Sequence, residues 1–227
     1  MTLDSDYARF AVRIDQACQA LGLPCTPQQQ DQLLTYLQAM ARWNKTYNLT
    51  ALRQPEQMLI QHIFDSLAPL PHLFETVAGA DQPISVCDIG SGGGLPGVVM
   101  AIMAPAWHVQ CIDAVEKKTA FVRQMIGALN APNLQGTHAR VEQLAPQQAD
   151  IVISRAFASL LDFATLAGPH VKEGGHLIAM KGKNPDAEVE DLQMRTSYRV
   201  EDIQPLVVPE LNAQRCLVWM RRHKGMS

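Results

Sequence analysis

Along the first 75 or so positions, apolar residues recur at three- and four-residue intervals. Tyr7, Phe10, Val12, Ile14, Ala17 and Leu21 predict a helix over about Asp6 to Leu21 that Gly22 stops. Thr26 before Pro27 reads as an N-cap with proline in the first turn. Leu33, Leu34, Leu37, Met40 and Ala41 then mark one face of a second helix ending near Tyr47. Gln54-Pro55-Glu56 opens a third, with Met58, Leu59, Ile63 and Leu67 apolar and His62 and Asp65 set among them. Residues 1–82 are therefore expected to form a helical cap packed on the rest of the chain.

From Ile84 onward the pattern changes to short apolar runs separated by helical stretches. Strands are predicted at Ile84–Asp88, His108–Asp113, Asn133–His138, Asp150–Ser154 and His176–Lys181, and Tyr198–Val208 with Arg215–Arg221 can close a hairpin. Helices are expected over Val98–Ala104, Glu116–Leu129 and Leu160–Val171, with a charged one after Pro185. This alternation predicts an α/β domain over residues 83–227, a mostly parallel seven-stranded sheet with helices on both faces.

At 227 residues the chain has room for one well-buried domain and an accessory segment. Hydrophobic content of 47% with 18% charged residues is ordinary for a globular protein, and no apolar run approaches the roughly 18 residues of a membrane span. Met1 to Asp6 is acidic and carries no basic-then-apolar signal pattern. The five cysteines, Cys18, Cys25, Cys87, Cys111 and Cys216, are odd in number and lack metal-type spacing. They read as reduced thiols of a cytoplasmic protein with no metal. A net charge of −3 excludes a broad nonspecific grip on nucleic acid, so any such contact must be local.

Candidate chemistry concentrates where the first strand ends. Asp88-Ile-Gly-Ser-Gly-Gly-Gly-Leu-Pro-Gly97 gives a strand, a glycine turn with exposed amides and a buried helix, the makings of a nucleotide-type site. Gly92, Gly94 and Gly97 satisfy the dinucleotide pattern. In the other register, Asp88 with Gly90, Gly92 and Gly94 resembles motif I of class I S-adenosylmethionine (SAM) methyltransferases. Asp113, ending the second strand, can accept both hydroxyls of a ribose, which suits NAD and SAM equally. Ligands in such sheets sit beyond the carboxyl ends of the strands, which directs attention also to Val141, Glu142, Arg155 and Lys181. The backbone at Val141 or Glu142 can bond an adenine-like ring. Arg155, a cation directly behind a buried strand, has few structural reasons to be there.

In the cap, Arg42 to Arg53 holds three cations, two aromatics and no acid. Cations there can contact phosphates while an aromatic stacks on a base. The plainer reading is a helix end rich in cations that suit its dipole, with Trp43 and Tyr47 in the core.

Taken together, Arg42-Trp-Asn-Lys-Thr-Tyr-Asn-Leu-Thr50, His62-Ile-Phe-Asp-Ser-Leu67, the Asp88–Gly97 loop, Ser154-Arg-Ala-Phe-Ala-Ser-Leu160 and Lys181-Gly182 resemble the bacterial 16S ribosomal RNA guanine-N7 methyltransferases, also called glucose-inhibited division protein B. The resemblance spans most of the chain. It implies the class I SAM methyltransferase fold, SAM as cofactor, and methylation of N7 of a single guanine in a decoding-region loop of 16S rRNA, within the 30S particle. It carries cofactor contacts to Gly90, Leu95, Val141, Glu142 and Arg155, beside Asp88, Gly92, Gly94 and Asp113. Arg155 is the candidate catalytic residue; Arg42, Lys45, Arg53, Lys181 and Lys183 are candidates for RNA contact. Gly93, between the second and third loop glycines, departs from the family pattern and is expected to loosen the turn. A SAM-dependent methyltransferase with a non-RNA substrate, an NAD-dependent oxidoreductase and a non-catalytic RNA-binding protein are the alternatives.

Overall fold

A computed structural model of the chain describes residues 3–77 and 79–223. Helix α1 (Leu3–Ala20) and helix α2 (Pro27–Tyr47) open the cap. Thr26 caps α2 with a full capping box: its hydroxyl accepts the Gln29 N–H at 3.2 Å and the Gln29 side chain returns to the Thr26 N–H at 2.9 Å. Asn48 ends the helix in the left-handed conformation, which asparagine tolerates.

The third predicted helix has three parts: α3 (Pro55–Met58), a π turn (Leu59–Phe64) and α4 (Asp65–Leu67). The π turn, closed where the Asp65 N–H reaches the Ile60 carbonyl, has no signature in apolar periodicity. Helix α5 (Leu70–Thr76) leads to the sheet.

Strands β1 (Ser85–Ile89), β2 (His108–Asp113), β3 (Leu134–His138), β4 (Ala149–Ser154), β5 (Val171–Lys181), β6 (Tyr198–Pro205) and β7 (Cys216–Arg222) form one sheet in the order β3-β2-β1-β4-β5-β7-β6. Strands β1 to β5 run parallel and β7 is antiparallel to both neighbours, as the alternation and the closing hairpin predict. The order reverses at β1, which puts a crevice at the carboxyl ends of β1 and β4. Helices α6 (Gly97–Met103), α7 (Glu116–Ala128), α8 (Leu160–Ala167) and α9 (Asp186–Arg195) complete the layers.

Two predicted boundaries are corrected. The helix expected to reach Val171 stops at Ala167 and continues only as a 3-10 turn over Gly168–His170, because Pro169 has no N–H for another α turn. The fifth strand consequently begins at Val171 rather than His176 and takes in Glu173, Gly174 and Gly175, with a register irregularity against β4.

The cap and one face of the sheet share a continuous core: Leu33, Tyr36, Leu37 and Met40 of α2 cluster with Val98 and Ile102 of α6 and with Phe121 and Val122 of α7. Tyr36 lies 5.9 Å from Phe121, ring to ring, in a stacked arrangement. Its hydroxyl donates to the carbonyl of Gly93 at 2.7 Å in a fully buried setting. The loop is thereby held from the cap side, so Gly93 does not loosen it. Tyr36→Phe leaves that carbonyl without its donor, and a loss of about 1–2 kcal/mol is expected in urea unfolding, with the m-value unchanged.

Candidate active site

Beyond the ends of β1 and β2 lies a cavity of about 260 Å³ that brings Gly90, Asp113, Val141 and Glu142 together against apolar walls including Ile112 and Leu166. Gly90 adopts φ +69°, and a Cβ there would come within 2.8 Å of the Ala156 Cβ. Only a bare backbone fits this floor. The Asp113 carboxylate, 7% exposed, accepts the Gly92 N–H and the Val115 N–H, each at 2.8 Å. It ties the glycine loop to the end of β2 and keeps lone pairs to spare at the cavity edge, since an ionised carboxylate offers about four acceptor sites. Across the cavity, Val141 and Glu142 open a 3-10 turn (Val141–Gln143), whose first N–H groups have no partner within the turn. An acid at one edge, main-chain donors at the other and apolar walls between them fit an adenosine.

The glycine loop differs from the sequence expectation in one respect. Its amides are mostly spent internally: Gly90 and Ser91 donate to the Ile112 carbonyl, Gly94 and Leu95 to the Ser91 carbonyl, and Gly97 to Asp88. The loop bonds to itself at Ser91 and otherwise to the ends of β1 and β2, because it turns tightly against them with Gly90, Gly92 and Gly94 all at positive φ. What it offers a ligand is closeness of approach rather than a ring of donors. Gly94 and Leu95 are buried beneath it and line neither this cavity nor the polar pocket beside it.

Asp88 is also under the loop, 0% exposed. Its Oδ2 accepts the Gly97 N–H at 2.8 Å, and its Oδ1 is buried with no partner. Burial pushes the carboxyl up to about 7, against the pull of the Gly97 N–H and of Arg155. A folded-state pKa above the unfolded value near 4 means that the folded chain holds the extra proton between those values. Stability from this group is present below about pH 4 and declines as pH rises toward about 7. Melting of the protein across pH 5 to 8 should show this decline, and Asp88→Asn should flatten it.

The polar pocket, of about 370 Å³, adjoins the first and is lined by Gln61, His62, Asp65, Arg155, Lys181 and Arg215, among others. The wall between the two is the chain leaving β4: Ala156 lines the first and Arg155 the second. Arg155 Nη1 donates to Asp65 Oδ2 at 2.9 Å and to the Gln61 carbonyl at 3.1 Å. Arg215 Nε donates to Asp65 Oδ1 at 2.8 Å. Asp65 is 3% exposed, so a nearly buried carboxylate is shared between two guanidinium groups.

The cap motif rich in asparagine mostly shapes this pocket. Asn44 is buried, donating to the Leu52 carbonyl at 2.7 Å and accepting the Thr50 N–H at 2.9 Å. That staple presents the Thr50 hydroxyl to His62 Nε2 at 2.9 Å, while His62 Nδ1 lies 3.1 Å from the Gln61 carbonyl. Burial, helped by the charge of Arg155, lowers the His62 pKa to about 4. The ring is neutral at physiological pH, with both nitrogens engaged.

The cations predicted for RNA fall into two groups. Arg42, Lys45 and Lys183 are exposed. Arg53 is exposed too, but bonds to Asn48 Oδ1 at 2.8 Å. Lys181 is turned inward, its Nζ donating to the Ala158 carbonyl at 2.9 Å and to Glu188 at 3.0 Å. It holds the loop after Arg155 onto α9. Of the aromatics assigned to the core by the plainer reading, Trp43 packs on Phe121, whereas Tyr47 lies tilted against Trp43 and is 46% exposed. Arg215 was invisible to sequence reasoning, because its only local signal is a cation before an apolar strand.

Residues 29–218 match the family model described as GidB, rRNA small subunit methyltransferase G. The chain belongs to the GidB family. A relative from Bordetella pertussis named ribosomal RNA small subunit methyltransferase G is 61% identical over 217 residues, 95% of this chain and 94% of its own length. One of the same name from Bordetella avium is 59% identical over 224 residues, 99% of this chain and 98% of its own. Likeness to GidB relatives thus extends over cap and sheet alike.

Solved structures share the fold at low identity. A SAM-dependent methyltransferase from Aquifex aeolicus gives a TM-score of 0.54 at 15% identity, covering 76% of this chain and 96% of that one. A ribosomal protein L11 methylase from Lactobacillus delbrueckii gives 0.53 at 14%, covering 70% and 76%. Among the described residues of this GidB chain, no helix is long and apolar enough to cross a membrane, and no group of three His, Cys, Asp or Glu side chains could hold a metal ion.

Proposed function

We propose that the chain transfers a methyl group from SAM to N7 of one guanine in 16S rRNA, in the cytoplasm, with the RNA presented in the 30S particle. Its similarity to relatives named ribosomal RNA small subunit methyltransferase G supports the substrate class. The observation that carries the reading is the meeting of two unlike pockets at Arg155 and Ala156, one shaped for an adenosine and one polar.

Bound in the first pocket, SAM supplies a methyl group activated for attack by a lone pair. Asp113 would hold the ribose, the N–H groups of Val141 and Glu142 would bond the adenine, and Gly90 would give the backbone clearance. Guanine N7 has an in-plane lone pair and no proton to lose, so the polar pocket needs no general base. It has none free: Asp65 is bonded on both oxygens and both His62 nitrogens are engaged. No cysteine lines either pocket, which disfavours cytosine C5 as acceptor, because that chemistry requires a thiolate. The side chains hold the acceptor close and aligned, and their contribution is orientational. Arg155 organises the junction. The exposed Arg42, Lys45 and Lys183 supply local phosphate contacts, which suits a chain of net charge −3 acting on RNA already shaped by a particle.

The test is methyl transfer from labelled SAM to unmethylated 30S particles and to naked 16S rRNA, with mapping by borohydride–aniline cleavage. One cleavage site in the particle RNA is the expected result. Tight SAM binding with no transfer to either RNA overturns the assignment and leaves a SAM-dependent enzyme with a non-RNA substrate. Equal activity on a short naked hairpin overturns the role given to the particle.

A further inference from the structure

Three segments far apart in sequence meet at one carboxylate in the polar pocket: Asp65 from the cap, Arg155 after β4, and Arg215 just before β7. Each Asp65 oxygen takes one guanidinium, at 2.9 Å from Arg155 and 2.8 Å from Arg215. A carboxylate bonded on one oxygen can still turn about its last torsion, which is broad and two-fold. Bonded on both, it is fixed in plane as well as in place. Arg215 is itself tied down, with Nη1 donating to the Gln214 carbonyl at 2.9 Å, and the next residue, Cys216, is paired with both β5 and β6.

We propose that Arg215 is a positioning residue for methyl transfer: through Asp65 it fixes the guanidinium of Arg155 where the cofactor pocket and the acceptor pocket meet. This rests on reading the polar pocket as the site of the guanine. The two arginines and Asp65 sum to one positive charge, so the bridge neutralises one cation's worth of repulsion and keeps the guanidinium groups in one arrangement. Arg155 Nη1 is occupied by Asp65 and the Gln61 carbonyl, which leaves its other donors for the acceptor. Their direction is set by the plane that Asp65 and Arg215 impose. Arg215 therefore influences the reaction without contacting the reacting atoms.

The experiment compares Arg215→Ala, Arg215→Lys, Arg155→Ala and the Arg155→Ala/Arg215→Ala double variant. Each is assayed for kcat and KM on unmethylated 30S particles, for SAM affinity by titration calorimetry, and for melting temperature. Misplacing a catalytic contact by about 1 Å costs on the order of a hundredfold. Arg215→Ala should accordingly lower kcat by about tenfold to a hundredfold with SAM affinity within about twofold. Arg215→Lys keeps one bond to Asp65 and should recover part of that loss, which also covers the case in which the alanine variant fails to fold. The double variant should be no slower than Arg155→Ala alone, because Arg215 acts only through Arg155. Multiplying losses in the double variant, or a wild-type kcat for Arg215→Ala beside an impaired Arg155→Ala, overturns the relay and leaves the pocket reading intact. A wild-type kcat for Arg155→Ala overturns both. A fall in melting temperature with kcat unchanged shows a purely structural bridge and also overturns the proposal.

Discussion

Arg155→Ala is expected to lower kcat/KM on 30S particles by about a hundredfold to a thousandfold, the loss of about 2.7–4 kcal/mol that comes with removing one preorganised donor from a shielded site. The effect should fall on kcat. Arg155 lines the polar pocket, whereas the adenosine cavity is built from Gly90, Asp113, Val141 and Glu142, so SAM affinity should stay within about threefold by calorimetry. Stability should drop by about 1–2 kcal/mol, because Asp65 Oδ2 and the Gln61 carbonyl lose their donor while Arg215 stays on the other carboxylate oxygen. Arg155→Lys separates charge from geometry: a point charge without the planar fork should restore most of the stability and little of the rate. Wild-type turnover in the alanine variant removes Arg155 from the mechanism.

Gly94→Ala should be the most destabilising single methyl in the cofactor loop. Gly94 has φ +98°, and a Cβ there would lie 2.5 Å from Val98 Cγ2 and 3.0 Å from Val122 Cγ2. Both neighbours are buried in the core shared by cap and sheet, so neither can swing away. Backbone strain of about 1–3 kcal/mol adds to an overpacking cost of similar size. A loss of about 3–5 kcal/mol is expected in urea unfolding, with SAM affinity falling alongside because Asp113 is tied to the neighbouring Gly92. The comparison is Gly127→Ala, a helical position where the added Cβ meets nothing within 4 Å, which should gain stability slightly. Equal behaviour of the two variants contradicts the tight packing described for the loop.

What could be read from the sequence, and what could not, divides along the range of the interactions involved. Strand alternation, the glycine loop, Asp113 at a strand end and the order of elements are written in short windows, and the sheet obeys them from β1 to the closing hairpin. The direction in which a polar group spends its bonds is not. The loop amides close on Ile112 and Ser91, Lys181 turns inward to Glu188 and the Ala158 carbonyl, and Asp65 is claimed by two arginines 90 and 150 residues away in sequence. Each of these outcomes depends on which partner the tertiary fold delivers. Gly93 shows the same limit, since the latch that steadies it comes from Tyr36, 57 positions earlier. Pro169 ended a helix early by a rule that was available in the sequence, but the apolar run around it was the stronger signal.

The π turn between Leu59 and Phe64 gives the gene an unusual point of tolerance to a change in length. One backbone unit more than an α turn requires is held there by the bond from the Asp65 N–H to the Ile60 carbonyl. A one-codon deletion inside the turn would let the segment relax into ordinary α-helix, which is the commoner and locally easier conformation. The Asp65 N–H would then meet the same Ile60 carbonyl as in an α turn, so the residues on either side of the deletion would keep their facing. The carboxylate of Asp65 would therefore still stand between the guanidinium groups of Arg155 and Arg215. A lineage could thus shorten this segment by one residue through an in-frame change and keep the site, whereas the same deletion in a regular α-helix would turn everything beyond it by about 100°.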